Sequence, residues 1–581
     1  MRLPSEVTLD LPGSKSHANR AIVCAALATG KTVIRGATPC DDVSVMVENL
    51  QKMGFRLRWK DTTRGELEID GGLPSKEGNA TLDCHNAGTT LRFLTSVAAL
   101  LPGAWVVTGD DHMKRRLIGD LTKALRSLGS TIQDSGGCPP LQISGGMLTR
   151  SEVTLKADIS SQYLTSLLLI APQLPGGLTI HLAGDLASSG YIDLTLKVMR
   201  DFGIKVDQKS NTFIVQHQQY RPISQYQIEG DWSAAGAWTI LSRLTQSVVN
   251  MPTLKEDSEQ SDRLLSRAVQ KLASPGSVTL NCEHIPDQVM NLCVFAATRK
   301  GVATLTGIRN LRTKECDRLA VVASELRKAG VKIKEDGDDL IIRGAGSLAR
   351  LVADPFAVTL DPHDDHRMAM CFALLGLLRG GITIRNPACV AKSYPHFFED
   401  LRSVLQHHRP VTIVGMRGVG KSSLGRRLAT VMKSVHEDSD QLFEKKYGPI
   451  RLWIEKHGWA DFRSKEEAII VDALRSGIVL SLGGGALGAA GTRKAVKTRS
   501  VPVWLQASER ELLKRLGNAK RPRLTDLPLH EEIRKFLIER GPQYREVARI
   551  EVSPRVRFRE QAPFVLTQMR NRLLGIHQQR H

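Results

Sequence analysis

Residues 320–344 read AVVASELRKAGVKIKEDGDDLIIRG. The first twelve carry apolar side chains at helical spacing with charges on the other face, so they predict an amphipathic helix that stops at Gly330. VKIKE and LIIRG then read as two strands, and the DGDD between them supplies a tight hairpin turn. Just upstream, TLTGIRN at 304–310 is a short β-branched strand ending in a turn. The stretch therefore predicts one unit: strand, helix, hairpin.

Working outward, the same order returns. Strands of this kind stand at TVIRGA (32–37), WVVTGD (105–110), LTIHLAGD (178–185), SVVNMP (247–252) and ITIRNP (382–387). Helices ending in a small-residue turn follow several of them, as in VMVENLQKMGF (45–55), LTKALRSLGS (121–130) and LTLKVMRDFGI (194–204). Six copies at intervals of about 55 to 80 residues predict repeats that pack on one another and share a core. The fold class is α/β.

A different pattern begins near residue 411. The strand VTIVG runs into GMRGVGKSS (415–423) and the helix LGRRLATVM, which is GxxxxGKS in its strand–loop–helix setting. Gly415, Gly418 and Gly420 let backbone N–H groups approach phosphate, with Lys421 reaching the outer phosphates and the hydroxyls of Ser422 and Ser423 beside them. Ser422 is the candidate Mg²⁺ ligand.

The chain of 581 residues is too long for one core, and 41% apolar with 24% charged residues is the composition of a water-soluble protein. No apolar run spans a bilayer and MRLPSEVTLDLPG lacks a signal-peptide core, so the expectation is a cytoplasmic protein with no membrane partner. Nine cysteines without a CxxC pair suit reduced thiols. The excess of 80 basic over 60 acidic residues attracts anions. Aromatics at 5% and the absence of long basic runs argue against nucleic acid and for small anionic substrates.

Loops of the first four hundred residues concentrate fixed cations: SKSHANR (14–20), NAGTTLR (86–92), HMKRRLIG (112–119), SSQY (160–163), KECDR (314–318), DDHRMAM (364–370) and AKSYP (391–395). They supply Lys15, Arg20, Arg92, Arg116, Lys314, Arg318, Arg367 and Lys392, a density suited to two anionic groups.

The strings PGSKS…NR, NAGTTLR, SSQYL, YIDLTL, KECDRL, DDHRMAM and CVAKSYP, in this order, resemble 5-enolpyruvylshikimate-3-phosphate (EPSP) synthase over about residues 5–403. The resemblance implies two globes of three βαβαββ units each, an inside-out α/β barrel closing over its substrates. It places one globe at 1–13 and 232–403 and the other at 14–231, with crossings near Pro12–Ser14 and Gly230–Ser233. It implies transfer of the enolpyruvyl group of phosphoenolpyruvate to the 5-hydroxyl of shikimate 3-phosphate, with no metal or other cofactor. Asp287 then corresponds to the base, Glu315 to the proton donor, and Lys15 to a residue between both substrates. Asn86, Gly88, Thr89, Arg116, Arg318, Arg367 and Lys392 correspond to the phosphoenolpyruvate site. Ser16, Arg20, Ser160, Ser161, Gln162, Ser188, Tyr191, Asn310 and Lys314 correspond to shikimate 3-phosphate contacts. His366 is open between a site residue and a supporting imidazole. Three positions depart from the family pattern: His85 for a usual glycine, Phe93 and Leu117 for common prolines.

Beyond a linker at 404–410, residues 411–581 carry HEDSDQLFEKKYG, DFRSKEE, LSLGGGAL, KRPRL and RGPQYREVA, which resemble shikimate kinase, a P-loop fold on a parallel sheet. That resemblance implies ATP with Mg²⁺, the metal near Ser422 and Asp438. Asp440, Arg463, Arg540, Gly483, Gly484 and Gly485 correspond to the shikimate site, and Arg521 to a lid arginine over the phosphates, with Arg523 departing from a common leucine. Glu466 reads as the orienting partner of Arg463. The alternative is a UDP-N-acetylglucosamine enolpyruvyl transferase fused to a generic P-loop kinase.

Overall fold

The computed structural model describes residues 6–146, 148–156, 160–184, 190–245, 247–346, 358–379, 382–406, 410–432, 434–474, 477–517 and 525–573. The chain divides into two compact units, Met1–Phe398 and Glu399–His581.

The opening stretch forms the predicted unit. Helix Arg318–Lys328 is capped by Asp317, whose side chain accepts from the Ala320 N–H, and it buries Leu319, Val322, Ala323 and Leu326. Strands Lys332–Asp336 and Asp339–Arg343 pair antiparallel, with Asp336 opposite Asp339, which leaves a two-residue turn. Gly337 takes φ +61° there, the left-handed conformation such a turn requires.

Three sheets of the first unit share one complete order. Strand Gly78–Asp83 lies parallel to Gly103–Thr108, which is followed by the hairpin Thr131–Gln133 and Leu141–Gly145. Glu152–Lys156 with Leu178–Ala183, and Val278–Asn281 with Val302–Thr306, head the other two. A fourth sheet has the same order but takes its first strand from later in the chain, Tyr226–Gln227 beside Gly30–Arg35. Among the described residues the remaining two copies appear as parallel pairs, Glu6–Thr8 with Val248–Asn250 and Val358–Leu360 with Ile382–Ile384.

The layers are inverted relative to a usual α/β domain. Helices Gly88–Leu100 and Val289–Thr298 are buried on almost every side, while strands such as Glu152–Lys156 alternate exposed and buried. The helices therefore form the inside and the sheets the outer wall. The two chain passes between halves run side by side: Gly13 bridges Gly230, Ser14 N–H donates to Glu229 O (2.8 Å), and Asp231 N–H to Pro12 O (2.9 Å).

The second unit is a five-stranded parallel sheet in the order Val435–Asp438, Ile478–Ser481, Val411–Val414, Val501–Leu505, Ile550–Val552. Its central strands, Val411–Val414 and Ile478–Ser481, are buried at every residue, as strands covered on both faces must be. The order reverses at Val411–Val414, so the loop after that strand opens into the crevice where such sheets bind ligands. The C-terminal helix Gln561–Leu573 buries Ala562, Val565 and Met569 in this unit's core.

Candidate active sites

The first unit holds a cleft lined by Lys15, Ser16, Arg20, Asp42, Gly88, Thr89, Arg92, Arg116, Leu117, Ser160, Ser161, Gln162, Tyr191, Asp287, Asn310, Thr313, Lys314, Glu315, Arg318, His366 and Arg367. One expectation needs correcting: most of the cationic clusters are not loops. SKSHANR opens helix Lys15–Leu27, GTTLR opens Gly88–Leu100, SSQY opens Ser161–Ile170 and HRMAM opens His366–Arg379. Helix starts present unpaired N–H groups and the positive end of the dipole, which suits anions better than a loop would. Turn-type residues at 14–16 and 160–161 concealed this, because Ser14 and Ser160 are the N-caps themselves.

At the cleft's centre lies a buried ion network. Arg318, with 1% of its side chain exposed, donates to Asp287 Oδ1, Glu315 Oε2 and Asp365 Oδ2, each at 2.7 Å. Asp287 Oδ2 accepts from Tyr191 OH (2.8 Å) and faces Arg367 Nη2 (2.9 Å). Burial alone would raise the Asp287 carboxyl, but Arg367, Arg318 and Lys314 overcome it and hold the group far below the usual carboxylate range. Glu315 is held down in the same way, with Arg318, Lys392 and Arg116 outweighing burial.

A second network carries the lysines. Lys15 Nζ lies 2.8 Å from Asp42 Oδ2, and Lys392 Nζ lies 3.1 Å from Asp42 Oδ1 while donating to the Asn86 carbonyl. Gln162 donates to Thr89 Oγ1 (3.0 Å) and Arg92 to the Gly88 carbonyl (2.8 Å). A Cβ at Gly88 would stand 2.6 Å from Arg92 Nη1 and 2.8 Å from Arg116 Nη1. Arg20 is fixed by Thr195 Oγ1 (2.8 Å) and the Ser16 carbonyl (2.8 Å).

Several buried polar atoms lack a hydrogen-bond partner in the protein among the described residues: Nε and Nη1 of Arg116, Nε of Arg92 and both ring nitrogens of His366. Unpaired guanidinium atoms beside a cleft are the signature of a site completed by an anion. Burial, with Lys15 and Arg367 nearby, pushes His366 well below the usual histidine range and keeps it neutral.

The structure also adds residues. Asp42, Asp365 and Thr313 were missed, and Arg92 was counted only as a cation. Asp42 follows Asp41 in the first turn of helix Asp41–Lys52, where acids normally serve the helix dipole, so nothing local marked it. Ser188 lies outside the described residues. Of the departures, His85 has φ +44°, a left-handed conformation that explains a glycine preference there. Phe93 is buried with the Arg20 guanidinium 5.5 Å from its ring, and Leu117 stands at the rim with 48% exposed.

In the second unit the P-loop glycines Gly415, Gly418 and Gly420 all have positive φ. Lys421 Nζ donates to the carbonyls of Gly415 (3.0 Å) and Met416 (3.1 Å), and Ser422 Oγ donates to Asp438 Oδ2 (2.7 Å). The three glycines after strand Ile478–Ser481 each face one predicted residue. A Cβ on Gly483 would meet Asp440 Oδ1 at 2.6 Å, on Gly485 Arg463 Nη2 at 2.5 Å, and on Gly484 Arg540 Nη1 at 3.6 Å. Glu466 pairs with Arg463 at 2.5 Å. Tyr544, which sequence reasoning missed, donates to the Gly484 carbonyl at 2.5 Å. Burial, then Asp438, raises the Asp440 carboxyl. Arg521 and Arg523 lie outside the described residues.

Residues 2–401 match the family model for EPSP synthase (3-phosphoshikimate 1-carboxyvinyltransferase). The chain belongs to the EPSP synthase family. Residues 417–567 match the shikimate kinase model, so both domains are present and the chain is a bifunctional shikimate-pathway enzyme. A 3-phosphoshikimate 1-carboxyvinyltransferase of Citrobacter koseri is 37% identical over 417 residues, 68% of this chain and 96% of the relative. One from a Sulfurovum species is 36% identical over 419 residues, 69% of this chain and 96% of the relative. The EPSP synthase structure from Acinetobacter baumannii shares the fold with TM-score 0.58 at 24% identity, covering 69% of this chain and 97% of that one. These matches favour EPSP synthase over the UDP-N-acetylglucosamine alternative.

Proposed function

We propose that residues 411–581 phosphorylate the 3-hydroxyl of shikimate with ATP, and that residues 1–403 join the product to phosphoenolpyruvate. The observation that supports the transferase reading most is the network in which Arg318 and Arg367 hold Asp287 and Glu315 beside the unpaired nitrogens of Arg116. Such a centre suits substrates bearing both carboxylate and phosphate.

In this reading Lys15, Ser16, Arg20, Ser160, Ser161, Gln162, Tyr191, Asp287, Asn310, Lys314 and Ser188, which lies outside the described residues, hold shikimate 3-phosphate. Asn86, Gly88, Thr89, Arg116, Arg318, Arg367, Lys15 and Lys392 hold phosphoenolpyruvate. The incoming carboxylate takes Arg318 and Arg367 from the protein carboxylates. Asp287 thereby gains basicity and accepts the 5-hydroxyl proton, while Glu315 rises enough to carry a proton to the methylene carbon. O5 bonds to C2 as the C=C π pair takes that proton. The intermediate then loses a methyl proton and inorganic phosphate, which restores the double bond.

In the kinase, Asp440 accepts the 3-hydroxyl proton, Arg463 and Arg540 hold the carboxylate, and Lys421 leaves the Gly415 and Met416 carbonyls for the phosphates. Ser422 and Asp438, oxygen donors 2.7 Å apart, fit Mg²⁺ arriving with ATP. The ion's part is to neutralise phosphate charge, and Arg521 would close over the same phosphates. Small anions account for the cationic clusters without nucleic acid. Nine unpaired cysteines support a reducing, cytoplasmic setting, and no helix among the described residues is long and apolar enough to cross a membrane.

The test supplies shikimate, ATP, Mg²⁺ and phosphoenolpyruvate together. The enolpyruvyl product should form, and should vanish when any one is omitted unless shikimate 3-phosphate replaces shikimate and ATP. Product formation without phosphoenolpyruvate dependence, or none at all, removes the reading.

A further inference from the structure

We infer that Asp42 is the positioning residue that binds Lys15 and Lys392 into one cationic pair for the phosphoenolpyruvate phosphate. The inference rests on the transferase reading above and adds to it a residue that no motif named.

The two oxygens of Asp42 are divided between the lysines, Oδ2 to Lys15 at 2.8 Å and Oδ1 to Lys392 at 3.1 Å. The lysines come from opposite halves: Lys15 opens a helix just past the Gly13 crossing, and Lys392 ends the turn Pro387–Lys392 far along the chain. All three side chains are nearly shut off from solvent, with 3% of Asp42, 11% of Lys15 and 7% of Lys392 exposed. Two ammonium groups brought this close in a buried place would repel without a counter-charge. Asp42 removes that repulsion, and the trio still carries one net positive charge for a ligand.

Its backbone is tied to the same site, because Thr90 Oγ1 donates to the Asp42 carbonyl (3.2 Å) and Lys392 donates to the Asn86 carbonyl. Asp42 thus sits under the Asn86–Thr90 turn and governs where both lysines point. The ordinary reading of an acid in a first helical turn belongs to its neighbour Asp41, which is exposed. The pair therefore contains its own control.

The experiment compares Asp42→Asn, Asp42→Glu and Asp41→Asn in the full chain. It measures kcat, KM for phosphoenolpyruvate, shikimate 3-phosphate affinity and kinase turnover, the last reporting on a separate unit. Asp42→Asn should raise KM for phosphoenolpyruvate about tenfold or more, hold shikimate 3-phosphate affinity within about threefold, and leave the kinase alone. Asp42→Glu should recover part of the loss and Asp41→Asn should match the parent. In the background of Lys392→Met, Asp42→Asn should cost much less than it does alone, since half of its task is gone. An unchanged KM in Asp42→Asn, an equal loss of shikimate 3-phosphate affinity, or fully multiplicative losses in the double variant would overturn the inference. Should Asp42→Asn fold poorly, the Asp42→Glu variant decides, and a carboxylate moved by one methylene that leaves the KM unchanged counts against it. An active parent with a silent Asp42 removes only this inference, whereas a parent without turnover removes the transferase reading beneath it.

Discussion

Arg318 and Asp365 form a 2.7 Å ion pair in which neither side chain exposes more than 1% of its surface. The same guanidinium serves Asp287 and Glu315, so one residue holds three carboxylates. Replacing Arg318 by Gln leaves the buried Asp365 carboxylate without its guanidinium counter-charge, held by the Arg367 N–H (2.8 Å) and the Cys316 thiol (3.8 Å). The expected outcome is loss of about 3–5 kcal/mol from the first unit together with the transferase activity, read by thermal melting and phosphate release. A variant that melts like the parent would show that Asp365 finds another partner.

Gly88→Ala inserts a methyl 2.6 and 2.8 Å from the guanidinium nitrogens of Arg92 and Arg116. Those arginines must shift, and KM for phosphoenolpyruvate should rise by about tenfold, roughly 1.4 kcal/mol, with shikimate 3-phosphate affinity little changed. Steady-state kinetics against both substrates checks this.

Lys421→Ala removes the side chain that reaches the phosphates and should abolish ATP-dependent shikimate phosphorylation while the transferase keeps turning over. Asp287→Ala should do the reverse. One substitution silencing both activities in a folded chain would contradict two separate sites.

Tyr544→Phe deletes one hydroxyl that holds the Gly484 carbonyl. With the glycine turn less fixed, KM for shikimate should rise about three- to tenfold, since a neutral hydrogen bond contributes about 1 kcal/mol. No change in KM would mean that the turn holds without it.

His17 gives a pH prediction. Burial, then the Lys197 charge, lowers it to about 3 from its ordinary value. Between that value and about 6.5 the unfolded chain binds a proton that the folded chain does not. Stability is therefore complete above about pH 6.5 and declines as the pH falls toward 3. Melting temperature should drop on acidification from pH 7 to 5, and His17→Gln should flatten that slope. A slope identical in the variant would assign the proton elsewhere.

The repeat was legible because a period-3.6 helix followed by a period-2 hairpin is a strong local signal, as residues 320–344 show. The P-loop was legible because its glycines need positive φ, which few other residues tolerate. Asp42 and Asp365 were not, because their partners lie 27 residues or more away and no local pattern distinguishes a buried acid from an exposed one. Tyr544 escaped for the same reason: its partner, Gly484, is 60 residues distant. The substitution at Phe93 was visible, but its placement against Arg20 depended on packing that only three dimensions supply.

Strand Glu6–Thr8 finds its parallel neighbour only at Val248–Asn250, with residues 14–231 between them. During synthesis on the ribosome that interposed half can complete its three sheets, the last closed by Tyr226–Gln227, while the leading strand still waits. The threading thus permits an order of assembly in which the guest closes ahead of its host, with Gly13 beside Gly230 as the seam between them.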